Sequence, residues 1–438
     1  MEKLKDVIGI GIGPYNLGLA ALLEKVPELE AAFFDESLEF AWHPGMLIEE
    51  MDLQVPFLAD LVTFADPTSH FGYLNFLHEH NRMYQFYFYK KFEVPRNEYN
   101  DYLRWAIQKL DNLHFRSRVV DVLDHQDTEN AHYEVVVEDV NSGARTSHYA
   151  RHVVMGTGSK PSVPNALQGM PSDDIVHTSR YLDEKENLLE AECITVVGSG
   201  QSAAEVFLDL LKEQERIGCH LALFTRSPGL FQLEQAKLGQ EFFSPDYVDY
   251  FHALDFEDRK NTLGMLDKLR KGIDPDTLKD IYNKLYQKSH GGRKIPITIQ
   301  PLTEIKDITK KDGVYQLTCH QWQQDRTFTF KTDKVVLATG YKPAIPDWFY
   351  DRFADLIKWE DDKRFKVTRD YQLAFKQDRP HQFFTLTNLE HSHGAGATNL
   401  GLAVQRNVHI INRLAGREVY PNQRNTIFQQ FTMDEVDS

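Results

Sequence analysis

The chain has 438 residues, enough for two or three domains with sizeable cores, and its 42% hydrophobic and 26% charged composition is that of an ordinary globular protein. A net charge of −16, from 49 basic and 65 acidic residues, speaks against a nucleic-acid partner and, beyond keeping the protein in solution, favours cationic small molecules by long-range attraction. Cys193, Cys219 and Cys319 are odd in number and far apart. They form neither a disulfide framework nor a CxxC or zinc pattern, so a reducing, cytoplasmic setting is expected, with no membrane span and no leader at the first strand.

The first element is a strand, Val7–Ile10, followed by the turn Gly11-Ile12-Gly13-Pro14-Tyr15-Asn16, an apolar helix from Leu17 to Leu23, and a second strand, Ala31–Phe34, ending in Asp35. Gly11 permits the tight turn, and Gly13 lets the backbone approach a pyrophosphate lying at the helix N-terminus. Asp35 stands where an acid bonds a ribose hydroxyl. Asn16 takes the place of the usual third glycine. A strand, turn, helix, strand and acid in this order point to dinucleotide binding.

Trp42, His43 and Gln54 follow in a loop-rich stretch. They are candidates to line a cofactor ring, with core packing as the alternative for Trp42. Tyr99–Leu110 has helical spacing, with Tyr102, Trp105, Ala106 and Leu110 on one face. Alternating runs between Leu113 and Tyr149 read as a small antiparallel insertion, and His152–Met155 as a buried strand returning to the nucleotide sheet at Gly156 and Gly158.

A second fingerprint begins at Ile194: a strand, the turn Gly198-Ser199-Gly200, Gln201 and Ser202, a helix, and a strand ending at Thr225-Arg226. An arginine in place of the acid suits a 2′-phosphate and so NADPH over NADH; a solvated loop arginine is the alternative. Two nucleotide folds in one chain pair a flavin with a nicotinamide dinucleotide. A third glycine turn, Thr339-Gly340-Tyr341, suggests that the flavin domain resumes there. The fold class expected is α/β, with two Rossmann-like dinucleotide-binding domains for FAD and NADPH and a small, mostly helical substrate region. The boundaries expected are 1–165 for the first part of the FAD domain, 190–330 for the NADPH domain with the helical insertion at about 228–299, and 331–438 for the return segment with a helix from Leu402 to Leu414. His391 and His393 lack a third ligand at recognisable spacing, so no metal is expected.

The motifs GIGPYNL, FAWHPGM, QVPFLADLVTFADPTS, YLRWA, GSGQSAAE, ATGY and HSHG fall in order along the chain. Together they resemble the flavin-dependent N-hydroxylating monooxygenases of siderophore biosynthesis, the lysine and ornithine N-hydroxylase family. The resemblance implies that NADPH reduces FAD, that O2 adds at flavin C4a, and that the distal oxygen passes to a neutral primary amine. It implies that Gly11, Gly13, Pro14, Asn16, Asp35, Trp42, His43 and Gln54 serve FAD, that Gly198, Gly200, Gln201, Ser202 and Arg226 serve NADPH, and that Thr339 and Gly340 also bind cofactor. Gln54 and Gln240 are the expected catalytic side chains. Dimers or tetramers are frequent in the family, so a homo-oligomer is expected.

One departure matters for the substrate. Amino-acid hydroxylases of the family read FLKDLV, with the lysine pairing the substrate carboxylate; this chain reads Phe57-Leu58-Ala59-Asp60-Leu61-Val62. Gln240 replaces an asparagine of the ornithine enzymes, and the last motif, Asn399–Asn407, differs as well. A buried carboxylate without its cation costs several kcal/mol. The substrate expected is therefore an amine lacking a carboxylate, such as putrescine, cadaverine, diaminopropane or histamine, with Asp60 or Glu241 as candidate partners of a distal ammonium. The alternatives are an amino-acid hydroxylase in which Lys271 or Arg293 supplies the cation, and a non-enzymatic redox-sensing flavoprotein. A disulfide reductase is disfavoured by the missing dithiol, and a Baeyer–Villiger enzyme by the missing linker fingerprint.

Overall fold

The computed structural model describes residues 3–125, 130–171 and 173–433. In the first half, strand β1 (Lys5–Ile10), helix α1 (Pro14–Leu23) and β2 (Ala31–Phe34) build the first nucleotide unit. A ribbon of β3 (Asp52–Pro56) and β4 (Glu93–Pro95) encloses helices α2 (Tyr73–Glu79) and α3 (Met83–Tyr89) in sequence. Helix α4 (Arg96–Ile107) follows, burying Tyr99, Tyr102, Leu103, Trp105 and Ala106. Then come β5 (Leu113–His114), β6 (Ser117–Asp124), β7 (Tyr133–Asp139), β8 (Arg145–Met155) and β9 (Ser159–Pro161).

In the second half, β10 (Ile175–His177), α5 (Tyr181–Leu189), β11 (Cys193–Val197), α6 (Gln201–Ile217) and β12 (His220–Phe224) form the second nucleotide unit. A helical region follows: α7 (Lys237–Gln240), α8 (Pro245–Ala253), α9 (Phe256–Met265), α10 (Asp267–Arg270) and α11 (Pro275–Lys288), the last begun by an Asp274 cap. Next are β13 (Ile297–Gln300), β14 (Thr303–Lys311), β15 (Val314–Gln321), β16 (Arg326–Thr332), β17 (Lys334–Leu337) and β18 (Tyr341–Pro343). The chain closes with α12 (Asp347–Phe353), β19 (Phe383–Thr385), α13 (Glu390–His393) and α14 (Leu400–Ala415).

The first sheet has the order β5-β2-β1-β8-β7-β6, with β19 also pairing β8. Its β1 neighbours are parallel, with Ile10 level with both Phe34 and Met155. The carboxyl ends of three strands, Gly11, Asp35 and Gly156, therefore stand side by side, the edge at which open α/β sheets bind ligands. The second sheet, β10-β17-β11-β12-β13, is parallel throughout and sets Val197 level with Phe224 and Leu337. Helix α1 is apolar all round, as a helix buried between a sheet and α14 must be, and its residues from Asn16 to Leu23 are all buried.

The chain crosses between the sheets twice, at the ribbon β9–β18, where Tyr341 faces Pro161. The return to the first sheet thus begins after the Gly340 turn, not at residue 331. The apolar run Val335–Leu337 is needed between β10 and β11 and is buried there. Among the described residues no helix is long and apolar enough to cross a membrane.

Candidate active site

The carboxyl edges of both sheets open into one cleft of about 3180 Å³, which runs on into the helical region and to α14. At the first sheet, Gly11 has φ 88°, and a methyl on it would meet the Gly156 carbonyl oxygen at 2.4 Å. The two strand ends are thus packed backbone to backbone. Asn16 lies behind this turn, not in the cleft: its amide donates to the carbonyls of Ile10 (3.1 Å) and Gly11 (2.7 Å). It occupies the space that Gly156 leaves by having no side chain, 2.6 Å from where a Cβ would be. The expected contact of Asn16 with the cofactor is corrected to a structural role: its side chain pins the glycine turn. Gly13 is the uncapped N-cap of α1, followed by Pro14, and open space lies before it. The first amides of the helix are left for an anion. Asp35 accepts from the backbone of Ile12 (2.7 Å) and Ser37 (2.8 Å), one bond on each oxygen, which leaves lone pairs directed to the cleft.

Trp42 and His43 both line the cleft. The Trp42 backbone is fixed by Asn100 (2.9 Å) and its ring packs edge-on to Tyr99. His43 sits in the left-handed region at φ 51°, and burial, with Arg96 nearby, lowers its pKa so that the ring is neutral. Gln54 is exposed to the cleft and its amide makes no hydrogen bond among the described residues.

The second turn repeats the first: Gly198 has φ 150° and is closed by the Ala338 carbonyl, and Gly200 is the uncapped N-cap of α6, with Ser202 on the cleft wall. Gln201 is committed to structure, accepting from the Asp274 amide (2.8 Å) and donating to Glu205 (2.9 Å) and Thr277 (3.2 Å). It ties α6 to α11, and its side chain has little left for NADPH. Arg226 projects from the end of β12, three-quarters exposed, with Glu304 4.0 Å away. Thr339 donates to the Ser162 carbonyl (2.6 Å), and the Gly340 carbonyl accepts from Ser162 and pairs with His177. These two residues fasten the crossing ribbon beside the cleft.

Sequence reasoning missed what joins the halves. Arg96 and Glu205 form a two-pronged ion pair (2.6 and 2.9 Å) that is almost wholly buried, with Arg96 also donating to the Met46 carbonyl (2.7 Å). The partners are 109 residues apart, and no local pattern links them.

The far end of the cleft is lined by Leu58, Ala59, Phe64, Phe243, Leu400 and Leu402. Ala59 is 3% exposed, and a methyl on Gly401 would lie 3.7 Å from its Cβ. Of the two candidate partners of a distal ammonium, Asp60 is turned away from the cleft, and Glu241 stays on its wall. Asp60 is buried away from the cleft and accepts from the amides of Val62, Thr63 and Tyr73 and from the Thr63 hydroxyl. Burial pushes its pKa up, and those bonds oppose the rise. It shapes the loop. Glu241 accepts from the amides of Phe428 (3.1 Å) and Gln429 (2.9 Å). Gln240 is exposed at the rim and spends its amide on the Glu234 carbonyl (2.9 Å), which argues against a catalytic part.

The substitute cations fare no better. Arg293 is exposed and off the cleft, and Lys271 pairs with Asp267 (2.8 Å). Arg270 reaches the cleft but is shared between Glu390 (2.7 Å) and Asp267 (2.9 Å). Glu390 remains half exposed toward the cleft.

The pattern of the L-lysine 6-monooxygenase/L-ornithine 5-monooxygenase family matches residues 3–343. The chain is 40% identical over 435 residues to a putrescine N-hydroxylase of Shewanella oneidensis, covering 98% of this chain and 84% of that protein. The FAD-bound cadaverine monooxygenase of the desferrioxamine pathway of Erwinia amylovora superposes with a TM-score of 0.93 at 38% identity, over 99% of this chain and all of that one. An ornithine N-hydroxylase of Kutzneria, solved with reduced FAD, NADP+ and L-ornithine, gives 0.88 at 27% identity, over 94% and 99%. The chain belongs to the L-lysine 6-monooxygenase/L-ornithine 5-monooxygenase family and is one of its flavin-dependent N-hydroxylating monooxygenases.

Proposed function

We propose that the protein hydroxylates one nitrogen of a diamine lacking a carboxylate, such as putrescine, cadaverine or diaminopropane, for siderophore assembly. The reaction balances as RNH2 + O2 + NADPH + H+ giving RNHOH + H2O + NADP+. The observation that carries this reading is Ala59: a short apolar side chain, buried where the amino-acid enzymes of the family carry a lysine, in a cleft whose Arg270 is already held by two carboxylates. The relatives at 36–40% identity that act on putrescine point the same way.

FAD fits the first sheet, residues 5–161 and 341–415, and NADPH the second, residues 175–337. The fit rests on uncapped helix amides at both turns, backbone closure without Cβ at Gly11 and Gly198, and open lone pairs on Asp35. Bound FAD, reduced by NADPH, would supply the activated oxygen. The chain's own part is to place the partners. Asp35 would hold the FAD ribose, the α1 amides its pyrophosphate, and Arg226 the 2′-phosphate that separates NADPH from NADH. Gln54 is poised to donate or accept between flavin and amine. Leu58, Phe64, Phe243, Leu400 and Leu402 give the amine end an apolar lining that excludes water and disfavours a charged nitrogen there, so the reacting amine is held neutral. The distal ammonium stays charged, and Glu390, half exposed on the cleft wall with one oxygen on Arg270, is the carboxylate proposed to meet it. NADPH demand and unpaired cysteines suit the cytoplasm, and a dimer or tetramer is the expected assembly.

The test is NADPH oxidation, hydroxylamine and peroxide measured together with each amine. A diamine-stimulated rate with hydroxylamine as the main product supports the reading. Amine-independent oxidation that yields only peroxide would sink it and favour a redox-sensing flavoprotein.

A further inference from the structure

The segment after α14 does not trail away from the site. Tyr420 is buried and donates to the Leu22 carbonyl (2.7 Å), which fixes the segment on α1. From there it crosses the amine end of the cleft. Gln423 donates to the Phe64 carbonyl (3.0 Å), in the loop that carries Ala59. Beyond Gln423 it is held by the helical region. Asp246 accepts from the amides of Asn425 (2.7 Å) and Thr426 (3.0 Å) and from the Thr426 hydroxyl (2.6 Å). Past Ile427, Glu241 accepts from the amides of Phe428 and Gln429. Phe431 then packs its ring against Phe242 (5.1 Å), Tyr247 (4.8 Å) and Tyr250 (5.8 Å).

An irregular segment with no sheet or helix of its own needs partners for its amides, and here two carboxylates supply them. Both are held below the usual carboxylate range, Glu241 chiefly by the Phe428 amide and Asp246, against the cost of its burial, by Thr426 and Asn425. Between its anchors the segment brings Gln423, Thr426 and Ile427 to the wall of the cleft that Leu58, Ala59 and Leu402 also line. It thus spans from the flavin half to the helical region over the end that Ala59 makes apolar.

Building on the proposed diamine reading, we infer that residues 421–431 form a strap that is the outer wall of the amine pocket, with Ile427 setting the length of diamine accepted. The strap holds the reacting nitrogen near the flavin and keeps water from that end. Ile427 fills the space that a longer chain would occupy. Gln423, Asp246 and Glu241 are positioning residues that act through the strap.

Two variants of the full-length holoenzyme test this, Ile427→Ala and a chain ended after Asn422. Each is assayed with diaminopropane, putrescine, cadaverine, ornithine and lysine, with peroxide measured beside hydroxylamine. Ile427→Ala is expected to raise the kcat/KM ratio of longer over shorter diamine by about fivefold, a change worth about one methylene of pocket. Removing the strap is expected to raise the amine KM about tenfold and the peroxide share several-fold, with the KM for NADPH moving less than about twofold. A merely structural tail would leave the chain-length ratio unchanged. If the shortened chain does not fold, Ile427→Ala decides alone. An unchanged length ratio in Ile427→Ala overturns the inference. If the parent protein hydroxylates only ornithine or lysine, the diamine reading fails, and the strap is judged on that substrate by the rise in amine KM and peroxide in the shortened chain, or in Ile427→Ala if that chain does not fold. No hydroxylamine from any amine overturns both.

Discussion

The two glycine turns are built on the same plan and end in opposite charge. The first is closed on three sides: Gly156 backs Gly11, Asn16 pins the turn from behind, and Asp35 is fixed by Ile12 and Ser37. The second is closed behind Gly198 by Ala338, and Gln201 braces its helix against α11, but its outer lip is Arg226, exposed and loosely opposed by Glu304. An acid held in a closed corner suits a resident dinucleotide, and an exposed cation at an open lip suits one that comes and goes. The difference is a matter of a few side chains around one supersecondary unit.

The strongest way to break the first turn is Gly11→Ala. Its Cβ would fall 2.4 Å from a backbone oxygen at a φ of 88°. A loss of FAD affinity of at least about a hundredfold is expected, roughly 3 kcal/mol, read by flavin retained on gel filtration.

Acid should separate the halves next. His152, lowered to about 4, and His393, lowered well below its ordinary value, are kept neutral chiefly by burial in the flavin half; His177 is the corresponding group at the second sheet. Their folded pKa values lie below the unfolded value of 6.5, so the unfolded chain binds the extra protons first. Stability is full above about pH 6.5 and is lost as pH falls toward 4, by about 1.4 kcal/mol per pH unit for each proton difference. Thermal unfolding followed by flavin fluorescence across that range should show FAD release at or before the main transition.

A smaller effect is expected from Asp35→Ala, which removes the ribose acceptor and strips the Ile12 and Ser37 amides of their partner. About 2 kcal/mol, or roughly thirtyfold in FAD affinity, should be lost, with the KM for NADPH unchanged. Arg226→Ala should be the mildest. The KM for NADPH rises about fivefold and that for NADH stays, a gap that narrows as salt screens the exposed guanidinium.

These contrasts track what was legible in the sequence. Gly11, Asp35 and Gly198 were readable because a turn, its helix and its strand lie within a few dozen residues and each residue type has one geometric job. Asp60 was misread because a carboxylate buried as a loop cap and one facing a ligand look alike in sequence; only the amides of Val62, Thr63 and Tyr73 tell them apart. The second task of Glu241, holding the backbone of Phe428 and Gln429, had no local signal, since those partners lie 187 and 188 residues on. The strand Lys334–Leu337 was placed with the wrong half because an apolar run ending in glycine fits either parallel sheet, and its pairing with β10 and β11 is settled by tertiary contact alone. The Arg96–Glu205 pair had no local signal at all.

The central claim is that this pocket has no place for a carboxylate. It is tested most directly by the ratio of kcat/KM for putrescine over ornithine and for cadaverine over lysine, pairs that differ by that one group. A buried carboxylate without its cation costs several kcal/mol, so at least one ratio should exceed about a hundred. Ratios near or below one in both pairs would contradict the account and mean that a cation, Arg270 first among them, is released to meet the substrate.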